Sequence, residues 1–275
     1  MVRYSAAALF LLGLASRDAV GQQPLAPWRE RGQTITPVYE GWYRNPDGTF
    51  SLSFGYFNRN GAEDVEVALG AANFVRPAAF DGAQPTMFKP RRHWGVFAVK
   101  VPADFVTKRI TWTLVFRGDS VTIPASLAQN WEIDALQGEA GSGNTPPRLR
   151  FAAGDSEGAG PAGAMGAPRT ATVGAPMALD VWAADDGAAR PTAGGAGRAG
   201  VPVTLTWFKH QGPGKVTFAP ESPKPAADGK ATTSVTFSAP GTYVLRVRAN
   251  DASGVASAGH AQCCWSNGFV KVEVK

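Results

Sequence analysis

The sequence is poor in the residues that build most catalytic and metal centres. Its 275 residues include only three histidines and two cysteines. The histidines are His93, His210 and His260, and no two of them have the spacing of a zinc-binding motif. We therefore expect a non-enzymatic protein. A hydrolase whose residues come together only through the fold is the remaining catalytic alternative.

Long apolar runs are also scarce. One occurs at the start, where an arginine precedes the leucine-rich stretch 6–15 and the small residues Ala19 and Gly21 follow it. This pattern predicts a cleaved signal peptide over residues 1–21, and therefore a secreted, periplasmic or surface-associated protein. The stretch is too short for a membrane span, and no second one appears, so we expect no membrane span.

Concentrated charge is missing as well. Charged residues make up 18% of the chain, and the formal net charge is +5 without long basic runs. Proteins that bind nucleic acids usually carry a basic stripe or a recognisable motif. We therefore predict no nucleic-acid partner.

Glycine and proline are abundant, with 32 and 21 copies, and apolar residues alternate with polar ones throughout the chain. This composition predicts an all-β fold of two immunoglobulin-like β-sandwiches in tandem. We place them at 28–136 and 148–275, joined by a linker at 137–147. The Gly/Ala-rich segments 154–168 and 187–200 are expected to be mobile loops.

The clearest strand signal lies in the second half. Leu205 and Trp207 alternate with polar residues, and Tyr243 begins a second such row. We predict that these side chains face the core, whereas Arg246 and Arg248 point the other way.

The same region resembles a PKD-type domain (polycystic kidney disease repeat) of exported bacterial proteins. The resemblance rests on ordered motifs: LDVWAADDG at 179–187, LTWF at 205–208, GPGKVTF at 212–218, TFSAPGTYVLR at 236–246 and AND at 249–251. It implies an immunoglobulin-like fold and a role as spacer, adhesive module or carbohydrate-associated module. The first half resembles only uncharacterised exported bacterial proteins.

Three sets of residues are candidates for a site. A basic patch with aromatic neighbours could bind an anionic polymer, and its residues are Lys89, Arg91, Arg92, His93, Trp94 and Trp265. A solvated loop face is the simpler interpretation of its charged members. Asp185, Asp186 and Asp251, together with Asp180, could hold calcium, although such residues are also ordinary turn formers. No other cofactor is expected.

The third set is Cys263 and Cys264, the only cysteines. In an exported protein we favour a vicinal disulfide. Two buried thiols beneath Trp265 and a bridge to another chain are the alternatives. We also expect Trp265 to form an apolar knob in a loop over 250–268.

Together these features predict an exported binding or adhesive module whose partner is a polysaccharide or an envelope protein. A structural spacer or a self-assembling surface subunit is the alternative.

Overall fold

The structure is a computed structural model and describes residues 29–133, 144–186, 203–251 and 264–275. Within these ranges the protein is all-β, with two short 3₁₀ turns at Ala78–Phe80 and Gln129–Trp131 and no α-helix. The signal peptide, most of the linker, segment 187–200, His260 and Cys263 lie outside the described residues. The described residues contain no helix long and apolar enough to cross a membrane.

The first half contains eight strands within the described residues. They are β1 (Ile35–Arg44), β2 (Phe50–Asn58), β3 (Val65–Glu66), β4 (Asn73–Arg76), β5 (Met87–Phe88), β6 (Arg91–Val101), β7 (Ile110–Phe116) and β8 (Asp119–Ala125). One sheet has the order β1-β2-β6, the other has the order β4-β7-β8, and β3 pairs with β5. All of these pairings are antiparallel.

Aromatic side chains fill the space between these two sheets. Phe54 stacks on Phe97 at a ring-centroid distance of 5.1 Å, and Trp112 meets Phe97 edge-on at 5.0 Å. All three are fully buried. The alternation around Phe54 in the sequence therefore belongs to the central strand of its sheet, β2.

The second half contains nine strands within the described residues. They are β9 (Arg148–Arg150), β10 (Ala164–Met165), β11 (Arg169–Ala171), β12 (Met177–Ala184), β13 (Thr204–Gln211), β14 (Val216–Ala219), β15 (Lys230–Phe237), β16 (Gly241–Asn250) and β17 (Trp265–Val274). One sheet has the order β14-β15-β12-β9, and the other has the order β10-β17-β16-β13.

The order of the strands in the second half is that of an immunoglobulin-like sandwich. Seven strands remain when the short β10 and β11 are set aside. Of these, β9, β12, β15 and β14 form one sheet in that order, and β13, β16 and β17 form the other. The N-terminal part of this sandwich contributes to both sheets. Its first strand, β9, pairs with β12, whereas β11 runs parallel to β17 in the other sheet. The first half follows the same plan with fewer strands, so the protein is a tandem of two such sandwiches.

The predicted core of the second half is confirmed. Trp207 and Tyr243 are completely buried, and Leu205 lies beside them. Thr206, between two buried neighbours, is only partly buried. The predicted strand phase is therefore correct.

Two local expectations were wrong. Segment 154–168 is not a free loop, because Gly166 N donates to Phe269 O at 2.8 Å and β10 pairs with β17. Residues 265–268 are not loop either, because β17 begins at Trp265, which pairs with Asn250. Segment 154–168 is apolar-poor, and its order comes from backbone contacts with a neighbouring strand, which composition alone does not reveal.

Candidate functional site

Most residues of the predicted basic patch lie at the start of β6, where the first sandwich meets the second. Lys89, just before the strand, forms an ion pair of 2.7 Å with Asp64 at the partly exposed rim. Arg91, Arg92, His93 and Trp94 are all partly buried. The patch is thus part of a strand at an internal boundary and differs from the solvated loop that the sequence suggested.

Arg92 is held by a carboxylate from β1. Its Nη2 donates to Glu40 Oε1 at 2.6 Å, and its Nη1 donates to the backbone oxygens of Tyr56 and His93 at 3.1 and 2.7 Å. The guanidinium also lies 5.1 Å from the Trp94 ring centroid. With these contacts the arginine has little capacity left for an external anion.

Glu40 is more deeply buried than its partner Arg92. Its second oxygen accepts a hydrogen bond from Gly95 N at 2.5 Å. Burial raises the pKa of Glu40 to about 7, against the opposing effect of the Arg92 charge. The carboxyl therefore holds β1 to β6, and it titrates near neutral pH.

His93 faces the second sandwich. Its ring stacks on Tyr56 at 4.9 Å and meets Phe208 of β13 edge-on at 6.1 Å. Its Nε2 lies 3.1 Å from Pro90 O. Burial, together with the positive charges of Arg246 and Arg248, lowers the pKa of His93 to about 3. The ring is therefore neutral and is held in place as a packing element.

The second sandwich contributes the face of β16 that was predicted to point away from its core. Arg246 lies 4.5 Å from the Phe208 ring centroid and is 2% exposed, and Arg248 lies 5.6 Å from the same ring. Arg246 Nη1 donates to Asn267 Oδ1 at 3.0 Å. Burial lowers the pKa of Arg246 to about 9. The predicted direction of both arginines is right, but the first sandwich covers this face.

Asn267 connects three segments. Its Nδ2 donates to Gly95 O of the first sandwich at 2.5 Å and to Pro161 O at 3.0 Å, while its Oδ1 accepts from Arg246. Pro161 belongs to the segment that was expected to be mobile. One amide therefore fixes β6, β16 and the 154–168 segment relative to each other.

Trp265 is buried at the same boundary, with 1% of its surface exposed. A Cβ placed on Gly95, whose φ is +50°, would lie 2.3 Å from Trp265 Cζ2. The indole therefore lies directly against the backbone of β6. The expected exposed knob does not form, because β17 aims this ring at the first sandwich rather than at solvent.

A second row of contacts joins the sandwiches through the loop before β5. His210 Nε2 lies 2.9 Å from Ala83 O, and Thr86 N donates to His210 O at 2.8 Å. Gln211 Nε2 donates to Gly82 O and Gln84 O at 2.8 and 2.6 Å. Burial, with a smaller effect from the Arg246 charge, lowers the pKa of His210 to about 3.

The predicted calcium residues do not gather into one site. Asp180 pairs with Lys230 at 3.0 Å, and Asp186 Oδ2 accepts hydrogen bonds from Thr145 N and Oγ1 at 3.0 and 2.5 Å. Asp251 accepts from the Asn144 amide at 2.7 Å. Asp185 is exposed at the end of the described stretch. The described residues contain no group of three or more metal-ligating side chains.

Cys264 is completely buried. The only other cysteine in the sequence is Cys263, which lies outside the described residues. The vicinal disulfide therefore stays a prediction.

Glycine motifs in segment 154–168 have no phosphate-binding or catalytic context. Residues 158–163 match G-x-G-x-x-G, and residues 154–158 match G-x-S-x-G. A dinucleotide site needs a strand before the glycines and a helix after them, and a nucleophilic serine needs a strand-to-helix turn. Here the segment runs from β9 to β10 without a helix. Gly158 exchanges two backbone hydrogen bonds of 2.9 Å with Leu149 instead.

Sequence reasoning missed the side chains that hold the boundary together. Glu40 and Asn267 were not singled out. Both are polar residues within otherwise apolar or aromatic strand segments, EGWY at 40–43 and WSNGF at 265–269. Such interruptions are a weak signal for a buried polar contact, because a polar residue in an apolar strand is also compatible with a solvent-facing edge.

No protein-family profile matches the chain, and no curated protein does. Among solved structures, an intimin fragment is 12% identical over 87% of this chain and 99% of its own, with a TM-score of 0.27. Domains 4 and 5 of the S-layer protein SbsC are 11% identical over 80% of this chain and 89% of theirs, at 0.24. A titin–obscurin-like 1 immunoglobulin complex is 16% identical over 48% of this chain and 95% of its own, at 0.26. TM-scores this low carry no functional argument, and the PKD type stays a prediction.

Proposed function

We propose that the chain is a non-catalytic binding or adhesive module of the cell exterior, with a polysaccharide or an envelope protein as its partner. One observation carries this proposal. His93 and Trp265, two of the predicted site residues, are occupied by contacts between the two sandwiches, and Arg92 is occupied by an ion pair with Glu40 inside the first sandwich. Side chains that are engaged in this way serve packing, which supports a non-catalytic role.

The surroundings of His93 and His210, the two histidines within the described residues, support the non-catalytic part of the proposal. Each ring nitrogen Nε2 lies within hydrogen-bond distance of a backbone oxygen, of Pro90 for His93 and of Ala83 for His210. A pKa of about 3 makes either ring a very weak base. General bases that work near neutral pH need a pKa much closer to 7.

Export is supported by the predicted signal peptide at 1–21. If the cysteines form a bridge, this also fits an oxidising compartment, since disulfides persist outside the cytosol.

A glycan array and a pull-down from envelope extracts, both with the mature chain, test the binding function. We expect reproducible, saturable capture of a glycan or of one envelope protein. If both experiments return nothing above a denatured control, the proposal is wrong. Hydrolysis of any captured glycan would contradict its non-catalytic part.

A structural spacer is the second candidate, and the boundary between the sandwiches favours it. The contact of Asn267 with Gly95 is one tie between the two units, and the contacts of His210 and Gln211 with the loop before β5 are a second. Two separate ties restrict the units from pivoting, as a spacer of fixed length requires. Small-angle X-ray scattering should give one rigid particle, and light scattering at rising concentration would reveal self-assembly. A strict monomer would exclude the self-assembling version.

A further inference from the structure

A groove on the first sandwich, away from the boundary with the second, has the composition of a ligand site. It has a volume of about 490 Å³ and lies between β1 and the segment that follows β8. Its lining includes Tyr39, Arg109, Ile123, Ser126 and Trp131. None of these residues belongs to the site predicted from the sequence.

Trp131 is an exposed aromatic side chain in a fixed backbone. Its side chain is 44% exposed, and its ring lies 5.3 Å from that of Tyr39. The segment that carries it is tied to β1, because Ile133 N donates to Trp42 O at 2.7 Å and Trp42 Nε1 donates to Ala128 O at 2.8 Å. The ring is therefore pre-positioned, which reduces the entropy lost when a ligand binds.

A bulge in β1 makes this approach possible. The register of β1 against β2 shifts between Tyr39 and Gly41. Gly41 has a φ of +127°, and a Cβ there would lie 2.4 Å from Trp131 O. Only glycine permits both the backbone conformation and the close contact.

The charge that lines the groove is positive. Arg109 is the only charged side chain among its lining residues. It is exposed, and within the described ranges it forms no ion pair. A guanidinium in this state is complementary to a carboxylate or sulfate, which it can bind through two parallel hydrogen bonds.

Prolines on both bordering strands disfavour a peptide partner that adds a strand. Pro37 lies in β1 and Pro124 in β8, and both line the groove. A proline has no N–H to donate, and prolines on edge strands are a common protection against pairing with another chain. The groove is therefore suited to a ligand that is recognised by rings and charge.

We propose that this groove binds an acidic polysaccharide segment, with a sugar ring stacked on Trp131 and its carboxylate or sulfate paired with Arg109. The proposal rests on the binding function proposed above and names its ligand class and its site. The apolar face of a pyranose ring suits an exposed indole, and the acid group suits the unpaired guanidinium.

The test uses the mature chain and an array of uronate and sulfated oligosaccharides, each beside its neutral methyl-esterified or desulfated counterpart. We expect an acidic glycan to bind more tightly than its neutral counterpart and titration calorimetry to give one site. Trp131→Ala should weaken binding at least about tenfold, as loss of one good ring contact does. Arg109→Gln should remove the preference for the acidic form, while neutral binding stays unchanged.

Trp182→Ala and Arg59→Gln are the matched controls. Trp182 is a half-buried tryptophan of β12 under Lys230, and Arg59 is exposed beyond β2. Neither should alter glycan binding. Because none of the four side chains is fully buried, we expect all four variants to fold, which circular dichroism will check.

The outcomes separate the site from the function. Glycan binding that survives both groove substitutions, or that ignores the acid group, overturns the site and leaves the binding function standing. Capture of an envelope protein that depends on Trp131 in the absence of glycan binding overturns the ligand class. If no glycan and no protein is captured, both proposals fail.

Discussion

The buried titratable groups at the boundary predict how stability depends on pH between 6.5 and 4.5. His93 and His210 have their pKa lowered from 6.5 to about 3, whereas Glu40 has its pKa raised from 4.5 to about 7. On unfolding, each histidine takes up a proton in this range and Glu40 releases one. The two histidines thus destabilise the fold as the pH falls, and Glu40 stabilises it.

The magnitude follows from the linkage between protons and folding. One bound proton of difference changes the free energy of unfolding by about 1.4 kcal/mol per pH unit. Over this interval each histidine removes roughly 2 kcal/mol and Glu40 returns roughly 2 kcal/mol. We therefore expect a net loss of about 2 kcal/mol from pH 6.5 to pH 4.5. Asp47 and Asp180, whose pKa values are lowered, act mainly below this range.

Urea unfolding of the mature chain at several pH values within this interval measures the effect. Gln can keep the contact of the Nε2 atom but does not titrate, so His210→Gln should make the free energy of unfolding nearly independent of pH. The double variant His93→Gln/His210→Gln should become more stable as the pH falls, by about 2 kcal/mol, because Glu40 then acts alone. If the double variant loses stability on acidification like the wild type, the histidines titrate normally and the described burial is wrong.

Three further predictions concern the core, the boundary and the cysteines. Trp207→Ala should cost about 3 to 5 kcal/mol in urea unfolding, as for large core aromatics, whereas Thr206→Ala should cost far less, and equal costs would mean a wrong strand phase. Gly95→Ala should cost at least about 1 to 3 kcal/mol from its positive φ alone, and a wild-type melting temperature would contradict the close contact with the indole. Intact mass should be two hydrogens below the reduced form if Cys263 and Cys264 form a vicinal bridge, and a native count of two free thiols would refute it. Reduction should change global stability little, because so small a ring removes almost no entropy from the unfolded chain.

Much of the fold was predictable because it is decided by local patterns. The alternation around Trp207 and Tyr243 fixes which face of each strand enters the core, since a slip of one residue would expose the whole apolar row. Glycine and proline set the turns, and the aromatic run in β2 marks a central strand.

The boundary between the sandwiches was not predictable for a related reason. Period-2 alternation identifies one buried face and leaves the other undetermined. Phe208, Arg246 and Arg248 share that second face, and long cationic side chains beside an aromatic ring are equally compatible with solvent. Only the approach of β6, whose His93 lies 115 residues before Phe208 in the sequence, shows that this face is buried. No local pattern encodes such an approach.

The groove was missed for a different reason. Neither Trp131 nor Arg109 was among the predicted site residues. The structure brings them together because Gly41 lets the chain after β8 lie against β1. A single glycine in an apolar strand signals a bulge or a close approach, but it does not identify what approaches.

The boundary and the groove meet in β1. Tyr39 lines the groove, and the next residue, Glu40, points to the opposite face, where it binds Arg92 and Gly95. Buried ion pairs seldom add net stability, because removing both charges from water costs about as much as their attraction returns. Directional hydrogen bonds do restrict how two elements lie against each other. The Glu40 contacts therefore fix β1 from one face, and on the opposite face the same strand holds Tyr39 and supports Trp131 in a constant geometry.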